Sequence, residues 1–176
     1  MNVYHLKPET EGYQSLALAS EEERPKIEDR FDTTPIGADW SPPAVKIIYE
    51  EDQTTDFATL AAIPAFGIRA VAALGDLLRE HGELLEVEGA EFRLHNVTSA
   101  PDALDEERSE VKRFRSSGRI LRILRYELRA ELLSDVPIFK LPQQPRSRVY
   151  VTDAFVERVT EAGLVGFDFS EVVWSG

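Results

Sequence analysis

The sequence predicts one α+β domain built on a mainly antiparallel, bent sheet with two principal helices, at about 65–81 and 153–162. Three observations point there. Short alternating apolar runs separated by turn residues outnumber any repeated strand-helix-strand unit, which argues against a doubly wound parallel sheet. Two windows carry apolar residues at helical spacing. A chain of 176 residues with 43% hydrophobic residues can bury one sizeable core and is short for two, and no repeat or linker divides it.

Residues 2–6 and 14–19 read as short strands on either side of a turn at Pro8 and Gly12, the second with Leu16 and Leu18 on one face. From Ser20 to Pro43 the chain is charged and interrupted by Pro25, Pro35, Gly37, Pro42 and Pro43, so it predicts an extended loop wrapping the domain. Phe31, Ile36 and Trp40 are its expected anchors. Val45, Ile47 and Ile48 begin a strand ending at Tyr49, and Glu50 to Asp56 makes an acidic loop.

The Ala- and Leu-rich run from Phe57 to Gly75 is interrupted by Pro64 and Arg69 and is flanked by Asp56 and Asp76, so it reads as a buried helix and not a membrane span. Pro64 is placed in the first turn. Ile68, Val71, Ala72, Leu74, Leu77 and Leu78 form the core stripe, and Gly82 ends the helix after His81. Gly67 and Gly75 would permit close packing on the sheet. Residues 84–87 and 91–97 flank Glu88-Gly89 as a hairpin, with Phe92 and Leu94 on one face and Glu91, Arg93 and His95 on the other.

Val111 to Phe114 and Ile120 to Leu124 form a second pair across Ser116-Ser117-Gly118. The apolar residues of Arg119–Leu133 fit helical spacing as well as a strand. Short strands at 138–141 and 147–151 follow. Thr152 is placed as an N-cap, Asp153 in the first turn, Phe155, Val156 and Val159 on the buried face, and Gly163 just past the C-terminus of the second helix. Phe167 to Trp174 closes the chain as a strand.

The net charge of −12 disfavours nucleic acid, whose binding relies on Lys and Arg displacing counterions. The absence of cysteine excludes disulfides and thiolate metal sites. The N-terminus carries no basic region followed by an apolar run, so a cytoplasmic location is expected. No phosphate loop, nucleophile elbow or zinc-protease motif occurs, and His5, His81 and His95 have no ligand spacing, so no cofactor, metal or catalytic residue is assigned.

Asp102, Asp105, Glu106 and Glu107 are the densest carboxylates, but they lack the ligand order of a calcium loop. A turn is the simpler reading: Asp102, after Pro101, accepts backbone N–H groups, and Asp105 caps a turn reaching Ser109. A Ser99–Asp102–His95 constellation carries little weight, because such triads are defined in space and no oxyanion hole accompanies it. Acidic residues also gather at Glu21, Glu22 and Glu23 and at Glu50, Glu51 and Asp52, as a solvated surface or as a docking face for a basic partner.

Several separated pieces carry a family resemblance across residues 57–174. They are the apolar helix leading to Gly82-Glu83-Leu84-Leu85, the Leu94-His95-Asn96-Val97-Thr98 strand with Asp102 to Ser109, the Ile138-Phe139-Lys140-Leu141 segment, and Val149 through Val172. Together they resemble a bacterial immunity-protein family of polymorphic toxin systems, formerly a domain of unknown function and typified by a myxobacterial protein. The resemblance favours a strand at 119–126, with a short helical or irregular connector at 128–133. It implies a family-like core at 57–174 and leaves 1–56 as a variable, acidic, loop-rich part of the same domain.

The resemblance supplies no catalytic residues. It implies a non-enzymatic protein that occludes a cognate toxin, with Asn96, Asp102, Asp105 and Ser109 as structural turn residues; on the electrostatic argument the contact is probed first at Glu21, Glu22, Glu23, Glu50, Glu51 and Asp52. The partner it implies is a toxin domain encoded by a neighbouring gene, which the net charge predicts to be basic, with no nucleic acid and no membrane expected. A general interaction module is the alternative, and a small hydrolase assembled from scattered residues is a third reading.

Overall fold

The computed structural model describes residues 1–176, and the strands at its centre alternate their side chains between layers, so that Phe57–Leu60, Ile63–Gly67, Phe92–Val97 and Tyr150–Thr152 are covered on both faces while Glu110–Arg113 and Ile120–Arg125 leave one face to solvent. In chain order the first elements are β1 (Asn2–His5), β2 (Lys7–Pro8), β3 (Ser15–Leu18), β4 (Val45–Ile48), β5 (Phe57–Leu60), β6 (Ile63–Gly67) and α1 (Ile68–Glu80). β7 (Gly82–Glu86), β8 (Phe92–Val97), β9 (Glu110–Arg113), β10 (Ile120–Arg125) and β11 (Ile138–Phe139) follow. β12 (Tyr150–Thr152), α2 (Asp153–Glu161), β13 (Phe167–Asp168) and β14 (Val172–Ser175) complete the chain.

This is a single α+β domain with two main helices and antiparallel strand pairs. Those pairs form two four-stranded sheets, ordered β5-β6-β8-β7 and β11-β12-β1-β14, and three two-stranded ribbons, β3-β4, β9-β10 and β2-β13. The central core lies between the two larger sheets, where α1 packs on one, α2 on the other, and the helices touch. Phe57, Phe66 and Val97 point into it from the first sheet, and Ile138 and Val151 from the second. The intervening residues Ala58, Leu60, Ala65 and Leu94 face outward into a second core, and Val3, Phe139 and Tyr150 face a third. The period of two along a strand therefore serves a different core on each side.

The N-terminal segment 20–43 covers the outer face of the first sheet. It holds two short 3₁₀ turns, Glu21–Lys26 and Gly37–Asp39, and its contributions to the second core are Ile27, Phe31, Ile36 and Trp40. The expected anchors at Phe31, Ile36 and Trp40 are all in place, with Phe31 and Trp40 edge to face. The β9-β10 ribbon and residues 103–104 and 128–141 cover the outer face of the second sheet, so 120–125 is a strand and 130–132 a single 3₁₀ turn.

The structure shortens the first helix. Residues 57–67, read from sequence as part of a buried helix, form the β5-β6 hairpin, and Pro64 lies within β6 opposite Thr59. Burial on both faces had removed the alternation that marks a strand. Its two-residue loop, Ala61-Ala62, has φ of 49° and 67° and lacks the Gly or Asn that signals such a turn. Ile68, expected in the core stripe, is 63% exposed at the start of α1, while Leu74, Leu77 and Leu78 are buried as anticipated. Gly75 is not a close-packing position either, since a Cβ there would meet only the movable end of Arg79.

The β7-β8 hairpin does use its glycine as expected: Gly89 has φ of 97°, and a Cβ would run into the Val45 carbonyl. β8 is not half-buried, however, because His95, Asn96 and Val97 are as enclosed as Phe92 and Leu94. The second helix starts after Thr152, whose side chain makes no capping bond. Asp153 instead accepts from the Asn2 N–H at 2.7 Å and the Tyr4 hydroxyl at 2.9 Å, tying α2 to β1. No helix is long and apolar enough to cross a membrane.

An L-residue with a Cβ costs about 1–2 kcal/mol in the left-handed region, which glycine occupies freely. Ala62→Gly should therefore raise stability by about 0.5–1 kcal/mol after the entropic cost of glycine is subtracted. Urea unfolding checks this, and a midpoint at or below that of the parent would show that the turn stores no such strain.

Candidate functional site

The sequence-selected carboxylates occupy two ends of one ribbon. β3 pairs with β4 from Ser15 opposite Ile48 to Leu18 opposite Val45. Glu21, Glu22 and Glu23 follow the second end, and Glu50, Glu51 and Asp52 follow the first, about 13 Å away for a ribbon of this length. The six do not make one patch. Glu21 pairs with Arg24 at 2.7 Å, and Glu23 pairs with Lys26 at 2.7 Å while accepting the Ala44 N–H at 2.9 Å. Those bonds hold both carboxyls below their ordinary pKa. Glu22, Glu50, Glu51 and Asp52 are exposed and form no ion pair.

The residues assigned to a turn have separate roles. Asp105 Oδ1 accepts the N–H groups of Glu107 and Arg108 at 3.2 and 3.1 Å, and its carbonyl accepts the Ser109 N–H at 2.9 Å. Ser109 Oγ accepts the Glu127 N–H at 3.0 Å, and the Asp105 N–H reaches the Glu127 carbonyl at 2.9 Å, so this turn fastens the base of the β9-β10 ribbon. Asp102 caps no backbone group, contrary to the sequence reading. Its exposed carboxylate accepts from Gln143 Nε2 at 2.7 Å and lies 3.9 Å from Arg129, because the chain folds residues 102 and 143 together.

Asn96 is likewise not in a turn. It sits inside β8, fully buried, and its Nδ2 donates to the Thr34 carbonyl and to Glu83 Oε2, both at 2.8 Å. Glu83 also accepts the Ile36 and Gly37 N–H groups at 2.9 and 3.0 Å. Burial alone would raise the Glu83 pKa, but these donors outweigh it and hold the group ionised below its usual range. The pair clamps the N-terminal wrap to the sheet.

One pocket, of about 240 Å³, opens between this wrap, the Ala61-Ala62 turn and the segment after β11. His95 and Lys140 are its buried polar residues, at 1% and 5% exposure. The Lys140 ammonium donates to the carbonyls of Phe31 at 2.9 Å and Pro145 at 3.0 Å. Burial pushes it down to about 8, against the pull of Asp32. His95 Nε2 lies 2.7 Å from the Leu78 carbonyl, which assigns the proton to Nε2 and leaves Nδ1 as an acceptor without a protein partner. Burial pushes this imidazole down to about 4, so it is neutral at pH 7.

Neither group is arranged as a nucleophile-base pair. His95 is oriented by a backbone carbonyl where a hydrolytic triad would place a carboxylate. Ser99 Oγ is 2.9 Å from His81 Nδ1 and not from His95, and Asp102 belongs to Gln143, so the Ser99–Asp102–His95 constellation is not assembled. His5, the third histidine, lies 3.2 Å from Glu171, which is held down to about 2: burial opposes that shift, and bonds from His5, Lys7 and Arg148 outweigh it.

Sequence reasoning missed Glu83 and the buried roles of His95 and Lys140. A lysine inside the apolar run Ile138-Phe139-Lys140-Leu141 was the available signal for one of them. Nothing local marked Glu83, whose partners lie 46 and 47 residues earlier.

A family model described as "Immunity protein family (Imm11)" matches residues 85–173. The matched segment holds β8, the Asp105–Ser109 turn, the β9-β10 ribbon, Lys140 and α2, and begins after all six N-terminal carboxylates. No curated protein matches the chain.

Two predictions follow from this geometry. Asp105→Ala should lower stability by about 0.5–2 kcal/mol, because two backbone donors lose their acceptor, whereas Asp102→Ala should stay within about 0.5 kcal/mol of the parent. Equal losses in chemical denaturation would contradict the difference in their roles. The second concerns pH. With His95 shifted from 6.5 to about 4, the unfolded chain binds a proton between those values that the folded chain refuses, so stability falls as pH falls through this window. The contribution is on the order of 3 kcal/mol. His95→Gln should flatten that slope, and an unchanged slope in urea titrations from pH 6.5 to 4 would overturn the assignment.

Proposed function

Because the chain belongs to the Imm11 immunity protein family, we propose that it binds a cognate toxin domain and neutralises it by covering a surface the toxin needs, without catalysis. The family match over residues 85–173 carries this reading. It is supported by the engagement of the half-buried Glu83 and the buried Asn96 and Lys140 with backbone groups of the chain's own loops. Such groups rigidify a binding scaffold, and rigidity lowers the ordering cost of association.

In this reading the toxin is encoded by a neighbouring gene, acts in the cytoplasm and is cationic overall. The net charge of −12 favours encounter with such a partner at low salt. Glu50, Glu51 and Asp52 are the more effective steering group, since they project from an exposed turn without ion pairs, while Glu22 stands alone between the paired Glu21 and Glu23.

Co-expression with the toxin domain encoded beside this gene should rescue growth and allow the two chains to co-purify. Association rates from stopped flow should then fall with added salt, and Glu50→Lys with Glu51→Lys should slow association more than it speeds dissociation. Toxicity that persists, with no complex recovered, would refute the antidote reading. Rescue with a salt-independent association rate would retain it and reduce the acidic turn to a solubility feature.

A further inference from the structure

Residues 110–125 invert the charge of the molecule. The β9-β10 ribbon and its connecting turn hold Lys112, Arg113, Arg115, Arg119, Arg122 and Arg125 against the single carboxylate Glu110, a formal +5 in a chain of net −12. All six cations are exposed, and only Arg113 pairs with a carboxylate, Glu106 at 2.7 Å. The other five have no ion pair within 4.0 Å, although the chain carries 32 acidic residues.

Among these charges stand three exposed apolar side chains, Phe114 at 47%, Leu121 at 50% and Leu124 at 42%. Ile120 and Ile123 point the other way into the third core, and the Asp105–Ser109 turn fixes the ribbon's base. The ribbon has no third strand, and beside it Gln144 Nε2 donates to the Leu121 carbonyl at 3.2 Å. A firmly mounted surface therefore presents arginines around apolar residues, the composition that concentrates binding energy at protein interfaces.

We infer that the outer face of this ribbon is the contact surface for the toxin, and that it docks on a locally acidic patch with apolar residues at its centre. The inference rests on the antidote reading given above. Charge complementarity selects the occupant: a field of +5 on an otherwise acidic body is satisfied by carboxylates on the partner. It is compatible with a toxin that is cationic overall, since long-range steering reads net charge while docking reads the local patch. Nucleic acid fits less well, because the acidic remainder of the chain repels a phosphate backbone and the exposed Phe and Leu side chains gain nothing from it. A symmetric pairing of two ribbons would oppose like charges.

The test measures binding of the full-length chain to the toxin domain encoded beside its gene. Arg119→Glu with Arg122→Glu should weaken binding by about 100-fold, mainly through faster dissociation, as expected for the loss of two interfacial arginines. Leu124→Ser should weaken it by about 10-fold through lost apolar contact. None of these side chains is buried, so the thermal midpoint should stay within about 2 °C of the parent. Affinity within about threefold of the parent in both variants, with the parent itself binding, would overturn the ribbon assignment and leave the antidote reading standing. A parent that fails to bind the toxin at all would defeat both.

Two control measurements use a roughly 20-base-pair DNA duplex, long enough to span the ribbon, and sedimentation of the chain alone. Binding to the duplex, or self-association, that is lost in the arginine variant while toxin affinity is kept would assign the surface to that other occupant and overturn the proposal.

Discussion

Covering both faces of two small sheets is the constraint from which most of the structure follows. Each four-stranded sheet sends alternate side chains into a shared central core and into an outer one, and an outer core needs a lid. The chain has only two substantial helices, and both are used between the sheets. The outer faces are therefore closed by the irregular segment 20–43 on one side and by the β9-β10 ribbon with its flanking loops on the other. An irregular lid leaves backbone N–H and C=O groups in semi-dry surroundings, where each must find a partner. Glu83, Asn96 and Lys140 provide those partners, which explains why an amide and an ammonium are tolerated inside and a charged carboxylate half-buried beside them.

The same constraint decides how much was legible. Where a strand alternates in the sequence and a glycine or serine cluster marks its turn, as in residues 82–97 and 110–125, the pairing could be read directly. The second helix was equally plain, from Phe155 and Val159 to a Gly163 with φ of 63°. In residues 57–67 double-sided burial made the strand pair apolar throughout, and Ala61-Ala62 offered no turn signal, so helix was the natural reading. For the site, Asp105 was legible because its partners lie two and three residues away, whereas Asp102 finds Gln143 41 residues on and Lys140 finds Phe31 109 residues back. Local patterns cannot encode contacts of that range.

The distribution of charge has a structural logic that total charge conceals. Carboxylates that approach the interior hold loops: Glu23 fixes Ala44, Glu83 fixes the Ile36-Gly37 turn, and Asp56 accepts the Val165 N–H. Cations elsewhere on the surface are mostly matched, as Arg158 is with Asp76 between the two helices. The ribbon at 110–125 departs from this arrangement, since of its six cations only Arg113 meets a counterion and only Arg113 and Arg125 reach a loop carbonyl, those of Gly118 and Arg108. That departure is the ground for the contact surface inferred for this ribbon.

β1 is an interior strand of its sheet, yet both of its neighbours come from the far end of the chain: β12 at residues 150–152 and β14 at 172–175. On a ribosome this strand emerges long before either partner, and it must wait unpaired while the residues between them are made. The sheet at 57–97 can assemble earlier from neighbours close in sequence, but the second sheet and the core beneath it cannot close until residue 175 has left the exit tunnel. Vectorial synthesis thus gives a half-formed chain whose exposed Val3 and Leu6 need protection from aggregation. A cell that depends on this immunity protein is served by finished copies alone, so the delay between translation and closure belongs to its window of vulnerability.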